Sequence, residues 1–117
     1  MTKFTIFRNE ERVDSYLAGH IIFAEGQPGD CMYAVLDGAI EIVRNGRVLN
    51  TLESGGVFGE MALIDQLPRS ASAVAKTDCR VALISEHRFT VLVSHNPHFA
   101  LEMMRLLSER VRDQMAS

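Results

Sequence analysis

With 117 residues, 47% of them hydrophobic and 23% charged, the chain is long enough for one domain with a real core and too apolar for a disordered tail. A formal net charge of -3 without a basic stretch argues against nucleic acid as a partner of this chain alone. No apolar run is long enough to cross a bilayer and the first ten residues lack the apolar core of a secretion signal, so no membrane partner and a cytoplasmic location are expected.

The first two-thirds reads as short strands broken by turns. Residues 12–17 alternate apolar and polar side chains and stop at Ala18-Gly19. Residues 20–23 form a short apolar run closed by Glu25-Gly26. Gln27-Pro28-Gly29-Asp30 is a strong turn signal, because Pro presets one dihedral and Gly takes positive φ. Residues 32–36 follow as a strand, and Asp37-Gly38 predicts a tight hairpin. Residues 39–44 alternate again, Asn45-Gly46 predicts a second hairpin, and 47–52 make the returning strand. Gly55-Gly56 breaks it. Strand signals resume at 69–75 and 80–84. This pattern predicts an α+β domain whose main body, over about 11–85, is an antiparallel β-roll, a jelly-roll-like barrel.

The last third changes period. Ser85 can cap a helix that starts at Glu86 and carries Phe89, Leu92 and Val93 on one side. Asn96-Pro97 predicts a second start, with Asn as the cap and Pro in the first turn. The following helix carries two apolar rows. One is Leu101, Met104, Ser108, Val111 and Met115; the other is Phe99, Met103 and Leu106. Two rows call for two neighbours, the chain's own β-domain and something else, such as a second copy. Two C-terminal helices over about 86–116 thus complete a single domain, 1–117. Cys31 and Cys79 are expected as buried thiols, and neither lies in a metal-spaced pair.

The chemistry concentrates in residues 58–74. Gly55, Gly56 and Gly59 approach a short helical turn built from Glu60, Met61, Ala62 and Leu63, which Pro68 prevents from extending. The first N–H groups of a helix lack internal partners, and a small residue at its start lets a phosphate come close. Arg69, expected on the strand leaving the loop, offers a planar fork that matches two phosphate oxygens. One arginine and one helix start suit a singly charged phosphodiester. A carboxylate beside a phosphate is repulsive unless it accepts a hydrogen bond, so Glu60 points to a ligand hydroxyl such as a ribose 2′-OH.

The segment Gly59-Glu60, a short apolar helix, then Pro68-Arg69-Ser70-Ala71 resembles the phosphate-binding cassette of cyclic-nucleotide-binding domains. Residues 22–30, Met32-Tyr33, Asp37-Gly38, residues 75–85 and Asn96-Pro97 resemble other parts of the same family, from about Gly19 to the C-terminus. The resemblance implies that Glu60 accepts the ribose 2′-OH and that Arg69 holds the phosphate. It implies that Gly59, Met61 and Ala62 line the phosphate with backbone and that Ser70 touches phosphate or base. A regular strand puts Arg69 and Ser70 on opposite faces. Both therefore reach one ligand only if the strand entrance is irregular or Ser70 uses its backbone. Candidate base contacts are Leu49, Val57 and Phe58 on the roll, and Gln114 or Met115 at the end of the last helix, from the same or a second subunit.

Ser70 resembles the cyclic-AMP type, so cyclic AMP is favoured over cyclic GMP, as a ligand rather than a cofactor. The resemblance implies a non-catalytic sensor domain, without an effector domain in this chain, that signals to an unknown effector protein by repositioning its last helix. A homodimer through that helix is the other expected partnership. One alternative is an interaction or dimerisation domain of the same fold that has lost its ligand, against which an intact Glu60 and Arg69 argue. A metal-dependent β-barrel enzyme would need clustered ligands, but only His20 of the four histidines lies in the β region, and no metal site is expected.

Overall fold

Short alternating strands with tight turns can bury their apolar faces only by closing on one another, and here they pair into two four-stranded antiparallel sheets. The computed structural model describes the backbone of residues 3–116 and the side chains of residues 3–113. The described residues form two compact units, one covering Lys3–Glu86 and the other the helical segment from His87 onward.

In the first unit the elements are β1 (Val13–Tyr16), β2 (Ile21–Phe23), β3 (Cys31–Asp37), β4 (Ile40–Arg44), β5 (Arg47–Leu52), β6 (Val57–Phe58), the helix α1 (Glu60–Ile64), β7 (Ser72–Ala75) and β8 (Cys79–Ser85). One sheet has the order β1-β8-β3-β6, the other β2-β7-β4-β5. This is the β-roll of an α+β protein. Its core joins both sheets through Phe23, Tyr33, Val35, Ile40, Leu52, Phe58, Ala73 and Val81.

The Asn45-Gly46 turn closes the expected hairpin. Arg44 faces Arg47, and Asn45 takes the positive φ of 53° that such a turn demands. Asp37-Gly38 does not close one. β3 pairs with β6 and β8 whereas β4 pairs with β5 and β7, so this turn carries the chain from one sheet to the other. Gly38 is needed there for close approach as well as for its φ of 83°, since a Cβ would strike the Asp78 carbonyl. The Ala39 amide then bonds Thr77 Oγ1 at 3.1 Å, and the Lys76 amide bonds the Ala39 carbonyl at 2.9 Å.

Two further differences bear on the site. The two-residue strand β6 was not expected, because the Gly55-Gly56 break hides so short a run. β7 begins at Ser72 rather than Arg69. The cysteines are free buried thiols. Cys31 pairs with Ser85 at one end of β8 and Cys79 starts the other end, about 20 Å away along the strand, far beyond disulfide reach.

The second unit contains α2 (Glu86–His95) and α3 (Pro97–Ala116), at the bounds the capping signals predict. The Phe89 and Phe99 rings meet at 5.5 Å. The Asn96 side-chain amide bonds back to the Leu92 carbonyl at 3.1 Å, so it satisfies the end of α2, while its own carbonyl accepts from the Phe99 amide at 2.9 Å. The two apolar rows of α3 separate in burial. Phe99, Met103 and Leu106 are buried, whereas Leu101, Met104, Ser108 and Val111 are exposed. Among the described residues no helix is long and apolar enough to cross a membrane, and no cluster of His, Cys, Asp or Glu could hold a metal ion.

Candidate phosphate and ribose site

β6 delivers the chain to Gly59, which stands at φ 76°, ψ 13° just before α1. That left-handed conformation favours glycine, and close approach requires it too, because a Cβ would lie 2.6 Å from Arg69 Nη1. Gly59 offers no side chain to cap α1, so the first amides of the helix have no side-chain acceptor at the N-cap. α1 is one turn long. It closes with the Asp65 amide on the Met61 carbonyl at 2.8 Å, and Gln66 and Pro68 lead the chain out.

Glu60, in the first turn of α1, is buried at 5% exposure. Ala62 and Leu63 point into the protein, while Met61 is exposed. Arg69 is also buried, at 6%, but it is not on a strand. The ladder between β2 and β7 shifts register between Ile21 and Phe23, and the chain before Ser72 leaves it. Arg69 pairs instead with the turn after β2: its amide bonds the Gln27 carbonyl and its carbonyl accepts from the Gly26 amide, both at 2.8 Å. The entrance is irregular, as the two-face problem required, yet the two side chains still diverge. Arg69 points inward and Ser70 outward, where Ser70 Oγ lies 3.9 Å from Met61 Sδ.

The Arg69 guanidinium has a defined seat. Nη1 donates to the Gly59 carbonyl and Nη2 to the Cys31 carbonyl, each at 2.9 Å. The cation lies 4.2 Å from the centre of the Phe23 ring and 5.6 Å from that of Tyr33. Nε is buried and has no hydrogen-bond partner among the described residues. Phe23, Tyr33 and Phe58 form an aromatic floor with centroids 5.0 to 5.9 Å apart. Burial pushes the Tyr33 phenol well above its ordinary pKa; the Cys31 thiol adds to this and Arg69 opposes it.

The structure therefore brings Gly59, Glu60, Met61, Ala62, Arg69 and Ser70 together around α1 and its exit. The expected base contacts are dispersed. Leu49 is exposed on β5, whereas Val57 and Phe58 are almost fully buried in the core. The side chains of Gln114 and Met115 lie outside the described residues. Sequence reasoning missed Phe23, Gly29, Tyr33 and the Cys31 carbonyl, all of which surround Arg69. No local signal marks them, since each reads as an ordinary strand or turn residue.

A profile of the cyclic nucleotide-binding domain matches residues 13–96. The chain is 31% identical over 99 residues to a CRP-like cAMP-activated global transcriptional regulator of Mycobacterium tuberculosis, covering 80% of this chain and 44% of that protein. It is 42% identical over 80 residues to a cAMP-dependent protein kinase regulatory subunit of Aspergillus niger, covering 67% of this chain and 20% of that one. The fold superimposes on the catabolite activator protein of Thermus thermophilus with a TM-score of 0.83 and 33% identity, covering 90% of this chain and 52% of that one. The chain thus spans about half or less of the length of these relatives. On the match to this profile across both sheets and into the helices, the chain belongs to the cyclic nucleotide-binding domain family.

Proposed function

We propose that this chain is a non-catalytic cytoplasmic sensor domain that binds a cyclic nucleoside monophosphate, with cyclic AMP preferred over cyclic GMP. Arg69 and the backbone of Gly59, Met61 and Ala62 hold the phosphate. Glu60 accepts the ribose 2′-OH. Ser70 contacts phosphate or base, and Leu49, exposed on β5, offers the roll's side of the base site. Gln114 or Met115, from this chain or a second subunit, contacts the base, and movement of the last helix passes the signal to an effector protein.

The observation that carries this reading is a buried guanidinium beside α1, held by two neutral carbonyls, with Nε lacking a hydrogen-bond partner among the described residues. A buried polar group of this kind is costly unless it has work to do. Glu60, buried at the start of the same helix, suits a hydroxyl partner. The choice of cyclic AMP is supported by Ser70 and by the cyclic AMP in the names of the Mycobacterium and Aspergillus relatives.

Calorimetric titration with both cyclic mononucleotides tests the reading. Saturable binding, tighter for cyclic AMP, is expected. Arg69→Ala should weaken it about tenfold to a hundredfold, from the loss of about 1.5–3 kcal/mol of charge-assisted hydrogen bonding. Arg69→Lys should recover only part, because a point charge cannot reproduce the fork. An Arg69→Ala variant that binds like the parent would remove the phosphate role.

A further inference from the structure

Gly29 lies in the connection between β2 and β3, outside the segment that carries the phosphate and ribose contacts. A Cβ built on it collides with Arg69 Cζ and Nε, and would lie 2.6 Å from Nη2. The obstacle is the guanidinium itself. Gly29 does not have the positive φ that reserves a site for glycine, so its backbone accepts alanine. What a side chain there would disturb is therefore the position of Arg69.

That position is determined on several other sides. The Gly59 and Cys31 carbonyls take Nη1 and Nη2, the Phe23 ring lies 4.2 Å from Cζ, and the Arg69 backbone is bonded to Gly26 and Gln27. A guanidinium pushed off Gly29 loses hydrogen bonds to both carbonyls, because their geometry is narrow. It also loses the aromatic face.

We infer that Gly29 is a positioning residue for the phosphate site: its missing side chain leaves the slot in which the Arg69 guanidinium lies beside α1, ready for the ligand phosphate. The inference rests on the phosphate role proposed for Arg69. Gly29 acts through Arg69 and touches no ligand atom.

A double-mutant cycle tests this, using whichever of cyclic AMP and cyclic GMP the parent binds more tightly. Gly29→Ala should weaken binding about tenfold in the parent and should have no further effect in the Arg69→Ala background. Phe23→Leu, which removes the ring face without adding bulk, supplies a second arm and should weaken binding severalfold with the same dependence on Arg69. Parent-like affinity in Gly29→Ala would overturn the inference, as would an equal loss in both backgrounds. A gain in affinity that vanishes in the Arg69→Ala background would overturn it too, since the seated guanidinium would then be a stored state instead of the binding one. If Arg69→Ala itself binds like the parent, the phosphate reading fails first and the role of Gly29 fails with it. If Arg69→Ala loses binding and Gly29→Ala does not, only the role of Gly29 fails.

Discussion

Glu60 and Arg69 are the two buried charged side chains of the described core, and both belong to the cassette. The proposed function gives them separate work, and a ligand analogue can separate it. Cyclic AMP lacking the 2′-hydroxyl should bind the parent about tenfold more weakly than cyclic AMP itself, in line with a lost hydrogen bond to a charged acceptor. Glu60→Ala should bind the two ligands equally. A preference for the hydroxyl that survives in Glu60→Ala would place its acceptor elsewhere. Tyr33 makes a different kind of prediction. Burial raises its pKa, so the folded state favours the neutral phenol. The resulting stability is complete below the ordinary value of 10.0 and is lost as pH rises through that value towards the folded one. Tyr16 and Cys79 are raised in the same direction, Tyr16 by burial and the Asp14 carboxylate and Cys79 by burial. Denaturant titrations should therefore show stability falling above about pH 9–10, with a shallower fall in Tyr33→Phe. An unchanged alkaline slope in that variant would remove Tyr33 from the explanation.

Elements were legible to the extent that their causes are local. The Asn45-Gly46 hairpin, the single turn of α1 before Pro68, and the starts of α2 and α3 follow from turn chemistry, helix breakers and caps. β6 was not legible, because two residues carry no period. The start of β7 was placed too early, because Arg69, Ser70 and Ala71 have strand-compatible side chains but lack a ladder partner. Both apolar rows of α3 could be read from their spacing, though not which row is covered. The homodimer through α3 expected from the sequence would use the exposed row. Met104→Glu with Val111→Glu should shift the mass seen by light scattering from dimer to monomer and leave the thermal midpoint within a few degrees, since both side chains are exposed. A monomeric parent, or a dimer that tolerates both charges, would rule this interface out.

At the scale of the β-roll, stability depends on contacts between sheets. Ile40 is fully buried in the cluster that joins them, so Ile40→Ala should cost about 2–5 kcal/mol in a chemical denaturation experiment. A much smaller loss would mean that the cluster collapses around the missing side chain. The same long-range assembly builds the site. The seat of Arg69 draws Phe23 from β2, Gly29 from the following connection, Cys31 from β3 and Gly59 from the end of β6. The amino-acid sequence by itself determined the succession of strands and helices, β6 apart, and the residue types of the cassette. Those depend on neighbours a few positions apart, through side-chain period, turn preference and capping. Only the tertiary structure decided that Asp37-Gly38 crosses between sheets, that Cys31 and Cys79 stand at opposite ends of β8, and that Gly29 faces the Arg69 guanidinium. Each of these follows from pairing between segments distant in the chain, and no local preference encodes which distant segment will arrive.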